Sequence, residues 1–233
     1  MRVEIAPSLL SADFSKLGAQ VEEAASSGAD CLHFDIMDGH FVPNITFGPM
    51  VVRAVRGLTD TPFRVHLMIT NPDDFIDDFA AAGANSISVH VETCPHLHRT
   101  VQHIKSRGVK AAVAINPATS VTTLEEIAGD LDAVLVMTVN PGFGAQEFIE
   151  ESVDKIARTR LLLNSTGREI DLEVDGGINE NTIERVVAAG ANILIAGNSV
   201  FANHAGVSAS IAELRRKAET AAKTWNWSCT SSA

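Results

Sequence analysis

A chain of 233 residues is long enough for two small domains or one α/β barrel, and 45% hydrophobic against 20% charged residues excludes the composition of a disordered chain. A formal net charge of -11 excludes the positive face needed to wrap nucleic acid or lie on an anionic membrane. Three widely spaced cysteines, Cys31, Cys94 and Cys229, indicate neither a disulfide framework nor a Cys-x-x-Cys metal site, so a reducing, cytoplasmic setting is expected.

In chain order, the opening MRVEIAPSLLSADF places Glu4 and Asp13 where a signal peptide needs an apolar core. Its apolar run VEIAP (3–7) is the first expected strand. Three later segments repeat one pattern: SSGADCLHFD (26–35), AAGANSISVH (81–90) and AAGANILIAG (188–197). Each reads as a helix end closed by Gly28, Gly83 or Gly190 in the left-handed conformation, then a strand buried on both faces. PFRVHLM (62–68), SRGVKAAVAI (106–115), AGDLDAVLVM (128–137) and EIDLEV (169–174) complete eight strands. The pieces between them carry helical periodicity. In NPDDFIDDFAAAG, Asn71 is placed to cap a helix, Pro72 to begin it, and Asp73 and Asp74 to complement its dipole.

Eight alternating strand and helix units predict an α/β fold, a closed (β/α)8 TIM barrel. The rival doubly wound sheet lacks its G-x-G-x-x-G fingerprint. Residues 1–222 are read as a single barrel domain and 223–233 as a C-terminal tail that carries both tryptophans, Trp225 and Trp227, and reads first as a loosely packed terminus and otherwise as an oligomer contact.

Barrel chemistry sits at the carboxyl ends of the strands. There the expected strands carry Ser8, His33 and Asp35, His66, and Asp175. In LHFDIMDGHFVPNITFGP, the alternation of His33, Asp35 and Met37 turns all three to one side of a strand. Taken singly, each histidine reads as readily as a satisfied buried residue. Together, two imidazoles and two carboxylates near a barrel axis require a cation, and the mixed nitrogen and oxygen set suits one divalent metal ion (Zn, Fe(II), Mn or Co). Met37, Met68 and Met137 fall at strand ends, where thioethers exclude water without offering protons. The loops NPGFGAQ (140–146), DGGIN (175–179) and AGNSVF (196–201) hold no Lys or Arg and are suited to grip a phosphate through backbone N–H groups. Cys94, His96 and His98 resemble a metal tract but lack a second cluster and are read as surface residues. His90 and Glu92 are read either as partners that orient a ligand or as a structural pair.

The stretches APSLLSADF, HFDIMDGHFVPNITFGP, HLMITNP, MTVNPGFGAQ, VDGGIN and AGNSVF, from Ala6 to Phe201, together resemble the ribulose-phosphate 3-epimerase family. The resemblance implies a metal-dependent isomerase that interconverts D-ribulose 5-phosphate and D-xylulose 5-phosphate in the pentose phosphate pathway, by two-aspartate proton transfer at C3 through an enediolate. It implies that His33, Asp35, His66 and Asp175 hold the metal and that Asp35 and Asp175 are also the acid and base. Ser8 and His66 would contact substrate, and Met37, Met68 and Met137 would surround the reacting carbons. Gly142, Phe143, Gly144, Ala145, Asp175, Gly176, Gly177, Gly197 and Asn198 would hold substrate and phosphate. The implied partner is a small-molecule sugar phosphate, and the implied assembly a homo-oligomer, dimer or hexamer. Two departures stand out: Ala145 replaces the last glycine of the family's usual Gly-Phe-Gly-Gly-Gln, and Asn198 stands where serine is common. Alanine tolerates fewer backbone conformations, so a tighter or altered loop is expected there. The alternatives are an epimerase of a six-carbon ketose phosphate such as allulose 6-phosphate and a noncatalytic sugar-phosphate binder. A related decarboxylase would need an Asp-x-Lys-x-x-Asp arrangement, which the sequence lacks.

Overall fold

Apolar runs with no polar face must be covered on both sides, and the computed structural model, which describes residues 2–224, covers them by closing the sheet on itself. The strands are β1 (Glu4–Pro7), β2 (Leu32–Met37), β3 (Phe63–Met68), β4 (Ser86–His90), β5 (Lys110–Ile115), β6 (Ala133–Met137), β7 (Asp171–Asp175) and β8 (Ile193–Ala196). All are parallel, and neighbours in sequence are neighbours in the sheet, with β1 also paired to β8. A single parallel bridge between Ser8 and His33 closes the ring between β1 and β2. This is the expected (β/α)8 barrel.

The helices are α1 (Leu17–Ser26), α2 (Pro49–Arg56), α3 (Ile76–Ala81), α4 (Leu97–Ser106), α5 (Ser152–Ser165), α6 (Ile183–Ala188), α7 (Asn198–Phe201) and α8 (Val207–Thr224). Strand alternation splits the core in two. Outward residues such as Phe34, Val65 and Ile87 pack under the helices, while Ala6, Ala114, Leu135, Ile193 and Ile195 pack inside the barrel. Gly28, Gly83 and Gly190 have φ of 90°, 100° and 108°, the left-handed helix ends read from the repeats.

The alternation of strand and α-helix fails at one connection. Between β5 and β6 the chain makes only short 3₁₀ turns, Val121–Leu124 and Ala128–Asp130. Ser120 accepts from the Thr122 backbone N–H, and Thr123 Oγ1 donates to the Ser120 carbonyl; such local bonds compete with an α-helix. A second correction concerns Asn71, which makes no side-chain capping bond. Pro72–Asp74 form a 3₁₀ turn, and the α-helix begins only at Ile76. The last helix continues through Thr224; Trp225, Trp227 and Cys229 lie outside the described residues.

At the amino-terminal end of the barrel, Arg64 (6% exposed) donates from Nη1 to Oε1 of the fully buried Glu173 at 2.6 Å, with Asp171 at 3.5 Å and Glu4 at 3.8 Å from Nη2. Removing the cation strands a buried carboxylate, whereas removing both charges does not. Arg64→Leu should therefore lower unfolding stability by about 3–5 kcal/mol. Adding Glu173→Leu should recover most of that loss, as measured by urea denaturation of the three proteins.

Candidate active site

Register brings the polar residues together. Asp35 on β2 lies beside His66 on β3, Met37 beside Met68, and Met137 on β6 beside Asp175 on β7. Ser8, just past β1, donates from Oγ to Asp35 Oδ2 at 2.6 Å. His33 Nε2 is 3.2 Å from Asp35 Oδ1 and 3.9 Å from Asp175 Oδ2. His66 Nδ1 is 3.1 Å from the same Asp35 oxygen and 3.7 Å from the same Asp175 oxygen. His33, Asp35 and His66 are buried, and Asp175 is half-buried.

Those distances set the charge states. Burial by itself raises the Asp35 carboxyl, but the imidazole of His33 outweighs it and holds Asp35 well below the usual carboxylate range. Asp175 is pushed up, first by burial and then by the negative charge of Asp35. Burial pulls His33 down, yet Asp35 beside it lifts it to about 9, while burial carries His66 down to about 4. Two carboxylates thus compete for compensation in one dry space.

One ligand atom from each of His33, Asp35, His66 and Asp175 lies within 4.8 Å of the others, and this is the one such group among the described residues. Two nitrogens and two carboxylate oxygens form a donor set that fits a borderline divalent ion, and a dication between the carboxylates would relieve the repulsion that raises Asp175. The residues therefore fit a metal.

Above the four opens a cavity of about 310 Å³. Ser8, Asp35 and Asp175 reach its floor, and Met37, Met68 and Met137 line its wall. The loop from Gly142 to Ala145, the pair Gly176 and Gly177, and Gly197 with Asn198 form its rim. Every residue expected to touch substrate is in this lining except His66, which lies fully buried beside Asp35. Gln146, Asn179 and Ser199, within the three loops expected to grip a phosphate but not singled out there, also line the cavity, and Ser11 lines it from outside those loops. The signal for Ser11 is its place one 3₁₀ turn past Ser8; Gln146 pins its own loop by donating to the carbonyls of Asn140 at 2.6 Å and Phe143 at 2.9 Å.

The rejected tract separates in space, with His96 and His98 exposed. Cys94 corrects the surface reading, for it is 5% exposed and packs in the main core. His90 turns inward, fully buried, with its Nε2 2.9 Å from His66 Nε2 and its Nδ1 3.1 Å from Glu92 Oε2.

Residues 4–201 match the model of the ribulose-phosphate 3-epimerase family. A ribulose-phosphate 3-epimerase of Bacillus subtilis is 54% identical over 200 residues, covering 85% of this chain and 92% of that protein. One of Escherichia coli is 48% identical over 199 residues, covering 84% and 88%. Among solved structures, KGPDC from Streptococcus mutans superposes with a TM-score of 0.70 at 12% identity, covering 94% of this chain and 99% of that one, which shows the fold alone. The family match over most of the barrel, with relatives at about half identity across nearly their whole length, establishes that this chain belongs to the ribulose-phosphate 3-epimerase family.

Proposed function

We propose that this protein interconverts D-ribulose 5-phosphate and D-xylulose 5-phosphate. The observation that carries the reading is the pair Asp35 and Asp175, which meet at the floor of one cavity and share the same two imidazoles. Relatives named for this reaction at 48–54% identity support the five-carbon substrate over a six-carbon one.

Inverting a carbon next to a ketone requires a proton to leave one face and another to arrive on the other. Asp35 on β2 and Asp175 on β7 are the two groups placed to do this, one starting as carboxylate and the other as acid, with roles exchanged in reverse. The thioethers of Met37, Met68 and Met137 exclude water from the enediolate formed between the two transfers. Ser8 steadies Asp35 through the 2.6 Å bond, and its hydroxyl reaches the cavity. His33, Asp35, His66 and Asp175 would hold one divalent ion, zinc, iron(II), manganese or cobalt, which when bound supplies Lewis-acid polarisation of the ketone oxygen.

The phosphate is assigned to the backbone of Gly176, Gly177, Gly197 and Asn198 with the loop Gly142, Phe143, Gly144 and Ala145. In that loop Ala145 has φ 59°, the one non-glycine residue in the left-handed region among the described residues. The chain thus keeps a conformation suited to glycine and carries the strain of a Cβ there, about 1–2 kcal/mol.

The working unit is taken as a single barrel domain, residues 1–222, with a tail from 223, acting in the cytoplasm. Among the described residues no helix is long and apolar enough to cross a membrane. Ile45 and Phe75, exposed side chains that line one surface hollow, support a homo-oligomer, dimer or hexamer.

The metal-loaded protein in deuterated water should convert D-ribulose 5-phosphate to D-xylulose 5-phosphate carrying deuterium at C3, followed by NMR; neither product nor exchange from loaded protein would refute the assignment. Asp35→Asn and Asp175→Asn should each lower turnover by at least about a hundredfold with an unchanged circular dichroism spectrum. At position 145, melting temperatures should rank Gly at or above Ala and Ala above Val, because β-branching adds strain at positive φ.

A further inference from the structure

Four side chains form an unbroken line from the site to Glu92 in the 3₁₀ turn after β4, which in turn meets the loop after β5. Asp35 Oδ1 faces His66 Nδ1 at 3.1 Å, His66 Nε2 faces His90 Nε2 at 2.9 Å, and His90 Nδ1 faces Glu92 Oε2 at 3.1 Å. Both histidines are fully buried, and the Phe41 ring packs against His90 with centroids 4.7 Å apart, so solvent does not reach the line between the rings.

The three contacts need three hydrogens. Carboxylates at the two ends only accept, and two neutral imidazoles bring one N–H each, so one contact must go without. Glu92 is anchored as an acceptor, since its Oε1 takes the backbone N–H of Asn116 at 2.8 Å and the hydroxyl of Thr119. Burial raises its carboxyl, but the contacts from His90, Thr119 and Asn116 outweigh this and hold it at about 2. With Glu92 taking the His90 Nδ1–H, His90 Nε2 becomes an acceptor and His66 must donate from Nε2. The bare lone pair then falls on His66 Nδ1, at the point where the four ligand atoms converge.

We propose that Glu92 and His90 are positioning residues that fix the tautomer of His66 and aim its free Nδ1 lone pair at the metal. This inference rests on the metal-site reading above. A cation fills the one contact that lacks a hydrogen, so loading breaks no bond in the line.

Glu92→Gln inverts the polarity. The Asn116 N–H, which cannot turn, keeps the amide oxygen on its side and directs the amide NH₂ at His90 Nδ1. His90 then donates to His66 Nε2, and His66 Nδ1 carries the hydrogen and donates to Asp35. The line is complete without a metal, and the ligand position is closed. Glu92→Ala removes the same carboxylate, with its anchoring of the loop, but leaves His90 free to take either tautomer.

The test is zinc affinity of the full chain at one fixed pH, by competition with a chromophoric chelator, beside metal-free melting temperatures and nitrogen-15 histidine NMR. E92Q should bind zinc at least about 10-fold more weakly than the unaltered protein without a lower metal-free melting temperature. E92A should melt lower than E92Q yet bind zinc more tightly than it. NMR should place the His66 hydrogen on Nε2 in the zinc-loaded protein and on Nδ1 in metal-free E92Q. Zinc affinity of E92Q within twofold of the unaltered protein, or affinities that simply follow the loss of stability, would overturn the proposal. Failure of the unaltered protein to bind any divalent ion would instead bring down the metal-site reading, and the proposal with it.

Discussion

Asp35, 2% exposed inside the barrel, is an ionised carboxylate away from water, and the polar residues around it answer that one demand. Ser8, His66 and His33 approach it at 2.6, 3.1 and 3.2 Å, each from an inward-facing position that could otherwise carry an apolar side chain. A buried charge must be compensated by hydrogen bonds or by opposite charge, and these neighbours do so only in part, because the His66 nitrogen that faces Asp35 is left without a hydrogen and Asp175 brings a second carboxylate to the same two imidazoles. The strands that face these groups from across the barrel carry small or apolar residues, Ala114 and Leu135 among them.

The two ends of the barrel solve the same problem by different chemistry. At the amino-terminal end Glu173 is met by the guanidinium of Arg64, a permanent charge in a fixed position. At the carboxyl end no Lys or Arg among the described residues pairs with Asp35 or Asp175, and compensation is left to imidazoles and a hydroxyl, in a donor set that fits a divalent ion. A guanidinium there would neutralise the pair and also occupy the space that a ketone oxygen needs. The contrast separates a buried carboxylate matched by a permanent charge from two that are left without one.

Much of this was legible in residue order because it is local. The His33, Asp35 and Met37 alternation needs only the two-residue period of a strand, and the helix-ending glycines need only the left-handed region. What escaped was set by competition or by distance along the chain. The segment after β5 has helix-like spacing, but Ser120 and Thr123 satisfy its backbone locally. Cys94 sits among polar neighbours in sequence and is buried by packing from elsewhere. His66 and His90 are separated by a helix and meet only because the β3 and β4 register, with Leu67 opposite Val89, brings their strand ends side by side. Spacing alone left the pair of His90 and Glu92 undecided between two roles for that reason.

The single bridge at Ser8 and His33 bears on how the chain assembles. The ladder of β1 runs along β8, from Glu4 opposite Ile193 to Pro7 opposite Ala196, while β2 meets it at one bridge and the turn before β2 adds two hydrogen bonds between Asp30 and Ile5. As the polypeptide leaves the ribosome, β2 through β7 can pair in order as each appears. The first strand made has no full partner until almost the last has emerged. The hydroxyl that steadies Asp35 hangs from the end of that strand, and Gly197 and Asn198 of the cavity lining follow β8 in the chain, so a partly made chain lacks both the full ladder of β1 and a finished site.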